Sequence, residues 1–114
     1  MHATASELTL RQAQSEFVVC VGKLIDFAFD HDYELTFGDA HRSPEECTRR
    51  GFKESCHGLR LAVDFNLFKH GKYLTDTSDH EVLGAFFKTL HDLARWGGDF
   101  GDGNHYSFEW HGRK

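Results

Sequence analysis

Ala13, Phe17, Val18, Val21, Leu24, Ile25 and Ala28 recur at steps of three and four residues, which places them along one face of a helix for about five turns. Thr9-Leu10-Arg11-Gln12 has the form of a capping box just ahead of them, with Thr9 accepting from an early amide and Gln12 reaching back to the cap. The period then changes. Tyr33, Leu35 and Phe37 alternate with polar residues, as in a half-buried strand. Ser43-Pro44-Glu45-Glu46 predicts a second helix start, with Ser43 as cap and Pro44 in the first helical position, and Gly51 keeps that helix short.

Farther on, Leu61, Val63 and Phe65 share one face of an extended segment, and Arg60, Ala62 and Asp64 share the other. This predicts a strand with an apolar back and a polar front. His70-Gly71 supplies a turn before Lys72-Tyr73-Leu74. A third box, Ser78-Asp79-His80-Glu81, predicts a helix with Val82, Leu83, Phe86, Phe87, Leu90, Leu93 and Ala94 as its buried stripe and Gly97-Gly98 as its end. After a glycine-bracketed loop, a last strand runs from His105 to Trp110. Tyr106, Phe108 and Trp110 face its core side, and His105, Ser107 and Glu109 its front. The order α, β, short α, β, α, β leaves no room for repeated crossovers. It predicts an α+β fold, a small antiparallel sheet packed against helices.

Composition sharpens this picture in a few places. A length of 114 residues fits one domain spanning 1–114, and eleven phenylalanines supply large surfaces for its core. A net charge of -5 without a Lys/Arg cluster argues against a nucleic-acid partner. No apolar run approaches the roughly 20 residues that span a bilayer, so membrane insertion is not expected. Met1 to Glu7 lacks the basic, apolar and small-residue order of a secretory signal, which leads to the expectation of a protein made in a cytoplasm; a monomer is expected as well. Three cysteines, Cys20, Cys47 and Cys56, cannot all pair within one chain, so a disulfide framework is not expected.

A catalytic zinc site takes three protein ligands and leaves a fourth position open. His57, Asp64 and His105 form a candidate trio. His57 and Asp64 are seven residues apart, on opposite faces of an unbroken strand, so the chain must turn near Gly58 for both to meet one metal. Ala62, beside Asp64, is small enough to leave space. Asp102, three residues before His105 in a glycine-bracketed loop, is placed near the metal without being a ligand and is the candidate general base. Other assignments stay open: Asp99 as the base, His111 as a ligand, or Cys47, Cys56 and His57 around a structural metal, although the eight residues between those cysteines do not match a short knuckle. His41, His70, His80 and His91 are expected to be solvated, and Cys56 to pack in the core. Trp96 either lines a cleft or covers the sheet end.

Ser55-Cys56-His57-Gly58-Leu59-Arg60-Leu61-Ala62-Val63-Asp64 resembles the S-x-H-x6-D motif of the zinc D-alanyl-D-alanine carboxypeptidases and phage L-alanyl-D-glutamate endolysins. Leu61 to Phe68, Arg95-Trp96-Gly97-Gly98-Asp99-Phe100 and Asp102-Gly103-Asn104-His105-Tyr106 are similar to the phage-encoded branch, and the resemblance covers roughly Leu8 to Trp110. It implies a hedgehog/D-Ala-D-Ala peptidase-like fold, a Zn2+ cofactor on His57, Asp64 and His105, Asp102 as acid/base, and bacterial peptidoglycan stem peptide as substrate. It further implies that Arg42 steadies the substrate carbonyl or the oxyanion, a role suited to a guanidinium, although Arg42 also precedes a helix cap and an ordinary ion pair remains open. Arg60 stands where many relatives carry Gly, and His41 replaces a commoner aromatic. No separate wall-binding module is expected, so any targeting would rest on the catalytic domain. The expected activity is L-Ala-D-Glu endopeptidase, with D-Ala-D-Ala carboxypeptidase or a non-catalytic zinc-binding domain as alternatives.

Overall fold

The computed structural model describes residues 8–38 and 56–114, with the backbone alone at Cys56 and His57. Helix α1, Leu10–Asp30, starts where the box predicts: Gln12 N donates to Thr9 Oγ1 at 3.2 Å, and Thr9 N donates to Gln12 Oε1 at 2.9 Å. Such a cap is worth about 1 kcal/mol. The buried line is Ala13, Phe17, Cys20, Leu24 and Ala28, with Val21 and Ile25 half-buried beside it. Val18 is 68% exposed, against expectation, because it lies about 100° around the helix from Phe17; Cys20 takes the inward position.

Strand β1, Tyr33–Phe37, pairs antiparallel with β2, Ala62–Lys69, from Tyr33↔Lys69 to Phe37↔Phe65. The expected alternation holds only in part, since Phe37 is largely exposed. His70 and Gly71 both take left-handed angles, φ 51 and 76, and close a tight hairpin from β2 to β3, Lys72–Leu74. On its other edge β2 also pairs with β5, His105–Phe108, which in turn pairs with β4, Ala94–Trp96. β2 is thus the central strand: β5 takes residues 62–64 of one edge, and β3 takes 67–69 of the same edge.

The second described helix departs from expectation at both ends. A 3-10 turn, Thr77–His80, comes first, fastened by Asp76 N donating to Asp79 Oδ2 at 3.0 Å, so the working cap lies two residues before Ser78. Helix α2 then runs only over Glu81–Lys88, with Leu83, Gly84 and Phe87 buried and Val82 half exposed. Thr89 Oγ1 donates to Phe86 O at 2.6 Å, and Leu90 N to Phe87 O at 3.1 Å, which closes the helix well before Gly97. Leu93 and Ala94 are buried as expected, yet Ala94 lies in strand β4 and Leu93 just before it. Pairing with β5 outweighs their helical spacing.

The core lies between α1, α2 and the back of the sheet. Phe17 meets Phe108 edge-on at 5.3 Å and Phe87 at 6.4 Å, and Phe87 meets Tyr106 at 5.5 Å. Each large apolar side chain withdrawn from water here contributes about 1.5–3 kcal/mol. Strand β5 ends at Phe108, short of Trp110, which instead makes an isolated bridge with Arg113. All four β5 residues are buried, so the front of this strand is covered as well as its back. The observed fold is therefore the expected α+β arrangement, an antiparallel sheet packed against helices. Among the described residues, no helix is long and apolar enough to cross a membrane.

Candidate metal centre

The front of the sheet is built by the alternation of β2 and the register of β5. Ladder bonds join Phe65 N to Asn104 O and Phe108 N to Leu61 O, so Asp64↔His105 falls at a non-hydrogen-bonded position, where facing side chains approach most closely. His105 Nδ1 lies 3.2 Å from Asp64 Oδ1. On the far side of Asp64 the chain leaving β1 runs alongside, with Gly38 N donating to Asp64 O at 2.8 Å. Gly38 has no side chain and Ala62, next on the same face, has only a methyl, so the space over Asp64 is not filled by its strand neighbours.

Asp102 joins this pair from the loop before β5. Potential ligand atoms of Asp64, Asp102 and His105 all lie within 4.8 Å of one another. Three contacts hold that loop in place. Asp102 N donates to Gly97 O at 2.8 Å, His105 N to Asp102 O at 3.1 Å, and Gly103 N to Thr77 Oγ1 at 3.2 Å. Gly97 permits this closeness, since a Cβ there would collide with the Asp102 carbonyl oxygen and stand 2.6 Å from His105 Cβ. Trp96, whose role was open between cleft and core, is buried over Gly84 and Gly98 and donates its indole N–H to Gly103 O at 2.7 Å. It covers the sheet end and braces the loop from behind.

The donor set suits a cation. His105 Nε2 lies 2.7 Å from the Lys114 carbonyl oxygen, which can only accept, so Nε2 carries a hydrogen. A neutral ring would then point the bare lone pair of Nδ1 at the Asp64 carboxylate. Either a proton or a metal ion is needed between them. In the metal-free chain burial pushes the His105 imidazole down, but the Asp64 hydrogen bond, the Lys114 carbonyl and the charges of Asp64 and Asp102 outweigh it, and the net direction is up. Tetrahedral ligands at about 2.0–2.1 Å from zinc stand about 3.3–3.5 Å from one another, close to the Asp64–His105 separation. A ligating histidine whose other nitrogen donates to a carbonyl is also the usual supporting arrangement.

The chain is similar in fold to a solved peptidase. The crystal structure of Serratia marcescens L-Ala D-Glu endopeptidase ChiX matches with a TM-score of 0.68 and 18% sequence identity, over 95% of this chain and 89% of that one. No protein-family model matches the sequence, and no curated protein does. The likeness to the endopeptidase is therefore one of fold.

Of the residues singled out from sequence, Asp64, Asp102 and His105 come together. His57 belongs to a 3-10 turn, Cys56–Leu59, that leads into β2, and its side chain lies outside the described residues, as do Arg42, His41, Cys47 and the helix start at Ser43. The carboxylate of Asp102 reaches the donor cluster itself, whereas the sequence reading kept it out of the ligand set. Asp99 points elsewhere, paired with Lys88 at 3.0 Å, and His111 is exposed beside Trp110. His70 is exposed in its turn as expected.

Two other histidines overturn the expectation of solvation. His80 is buried at 3% exposure, with Nδ1 2.8 Å from Tyr106 Oη, and burial holds its pKa below the ordinary value. His91 accepts from Leu93 N at Nδ1 and donates from Nε2 to Glu16 at 2.8 Å, its ring stacked on Phe108. Their side-chain partners, Tyr106 and Glu16, stand 26 and 75 positions away, so no local pattern announces those pairings.

Proposed function

We propose that the protein is a zinc-dependent peptidoglycan peptidase that hydrolyses an amide bond in the cell-wall stem peptide, with L-Ala-D-Glu as the bond. The observation that carries this reading is the Asp64, Asp102 and His105 cluster, on a fold similar to that of an L-Ala D-Glu endopeptidase. Asp64 and His105, with His57 from the turn before β2, are the residues that would hold the ion. Zinc bound there supplies Lewis-acid polarisation of the scissile carbonyl and makes water a stronger acid. Asp102 takes the proton from the attacking water and passes it to the departing amine, a role suited to an exposed carboxylate beside the donor cluster. Arg42 is assigned to the oxyanion on its resemblance to the family arginine.

Incubating defined muropeptides with the zinc-loaded protein and identifying the new termini by mass spectrometry tests the assignment. New D-Glu amino termini are expected. Release of terminal D-Ala instead would replace the endopeptidase by a carboxypeptidase, and intact muropeptides in the presence of one zinc per chain would leave a non-catalytic zinc domain.

A further inference from the structure

Asn66 stands two residues beyond Asp64 on the same face of β2, about 7 Å along the strand. Its carboxamide is held from both sides. Nδ2 donates to Thr36 Oγ1 on β1 at 3.2 Å, and Oδ1 accepts from the Tyr73 hydroxyl on β3 at 3.4 Å. The tyrosine ring is itself fixed by stacking on Phe68 at 5.0 Å. Asn66, Tyr73 and Asn104 line a cavity of about 180 Å³ together with Asp102, so this cavity opens beside the residue assigned to proton transfer. It occupies the gap on the β2 edge between the start of β5 and the end of β3.

A primary carboxamide has two N–H donors and two acceptor lone pairs. Thr36 takes one donor and Tyr73 one lone pair, which leaves one N–H and one lone pair for a ligand. That is the complement of one residue of an extended chain, whose own N–H and C=O point to the same side. We infer that Asn66, oriented by Thr36 and Tyr73, binds the N–H and C=O of one extended residue of the chain being cleaved, next to the scissile bond and along the line of β2. This rests on the peptidase reading and gives it a positioning residue outside the metal cluster. A purely structural Asn66 would tie β1 to β3 and have no bearing on substrate length.

The test compares Asn66→Ala and Thr36→Val with the parent protein, zinc-loaded, on a stem tetrapeptide and on a minimal substrate holding only the scissile amide. The parent should prefer the longer substrate. Asn66→Ala should lose about tenfold of that preference in kcat/KM, mostly through KM, which corresponds to about 1.4 kcal/mol. Thr36→Val keeps the carboxamide and removes its guide, so it should lose a smaller part of the same preference. Equal losses on both substrates, or none on either, would overturn the inference. In parallel, the Asn66 side-chain amide signals in a 15N-1H spectrum should shift when the non-hydrolysed product peptide is added. Turnover without that shift removes the role of Asn66 alone, and absence of both turnover and binding removes the peptidase reading with it.

Discussion

Asp64 and His105 face each other across adjoining strands with Oδ1 and Nδ1 3.2 Å apart, and the far nitrogen of the imidazole is already committed to the Lys114 carbonyl. Two acceptors therefore flank one ring, and whatever lies between His105 and Asp64 must be positively charged. A proton or a metal ion satisfies that position, and a metal ion bound there would compete with the proton directly.

Zinc binding should consequently release a proton from His105. The upward shift of its imidazole means that the metal-free protein keeps this proton to higher pH than an ordinary histidine does, so apparent zinc affinity should rise with pH. Calorimetric titrations at one pH, in two buffers of different ionisation enthalpy, measure the proton count. No proton released near pH 6.5 would contradict the competition.

Metal removal should lower stability. At a free zinc level about 100 times the dissociation constant the ion contributes about 2.7 kcal/mol, a difference on the order of 10 °C in Tm for a domain of this size. Thermal scans with and without chelator check this in the parent protein. Asp64→Asn and His105→Ala should erase most of the difference.

A substitution at Asp102 tests whether its carboxylate transfers a proton or holds the ion. Asp102→Asn should reduce kcat by about 10²- to 10⁴-fold while the protein retains one zinc per chain. Because the carboxylate lies within the donor cluster, metal analysis has to accompany the kinetics. Loss of zinc together with activity would reassign Asp102 as a ligand, and full activity would end its role as base.

Gly97→Ala should damage the site from behind. The added methyl meets the Asp102 carbonyl and the His105 Cβ, neither of which is a flexible side-chain end, and overpacking of this kind costs about 1–3 kcal/mol. Both Tm and zinc affinity should fall. Gly101→Ala meets no neighbour and carries only the strain of φ 84, so its zinc affinity should change less.

His80, whose pKa is shifted in the opposite direction to that of His105, sets a pH dependence of stability. Its folded pKa is depressed by burial, so its contribution is present above the unfolded value near 6.5 and is lost as pH falls through the folded value. Between pH 7 and 5 the Tm of the parent should therefore decline more than that of His80→Gln. Equal slopes would show that the His80 ring takes up its proton without cost.

Much of this was readable along the chain because the signals were local. The Thr9 to Gln12 box, the His70-Gly71 turn and the two-sided pattern of Leu61 to Asp64 each depend on residues a few positions apart. The same locality misled at Leu90, Leu93 and Ala94, where helical spacing is equally compatible with a turn and a short strand, and where the β5 partner decides. Spacing placed Asp102 near His105 but could not say how near, since that distance depends on Gly97 and Trp96 packing behind the loop. The roles of Thr36 and Tyr73 beside Asn66 were hidden for a similar reason, because each arrives from a different strand.

The register of β2 against β5 has a consequence for folding fidelity. A slip of one residue would turn His105 to the opposite face from Asp64, and the strands would still pair. A chain so misaligned would lack the paired donors, so zinc would stabilise only molecules whose strands are in step. The ion would act as a proofreader of the sheet, rewarding the one alignment that can also carry out chemistry.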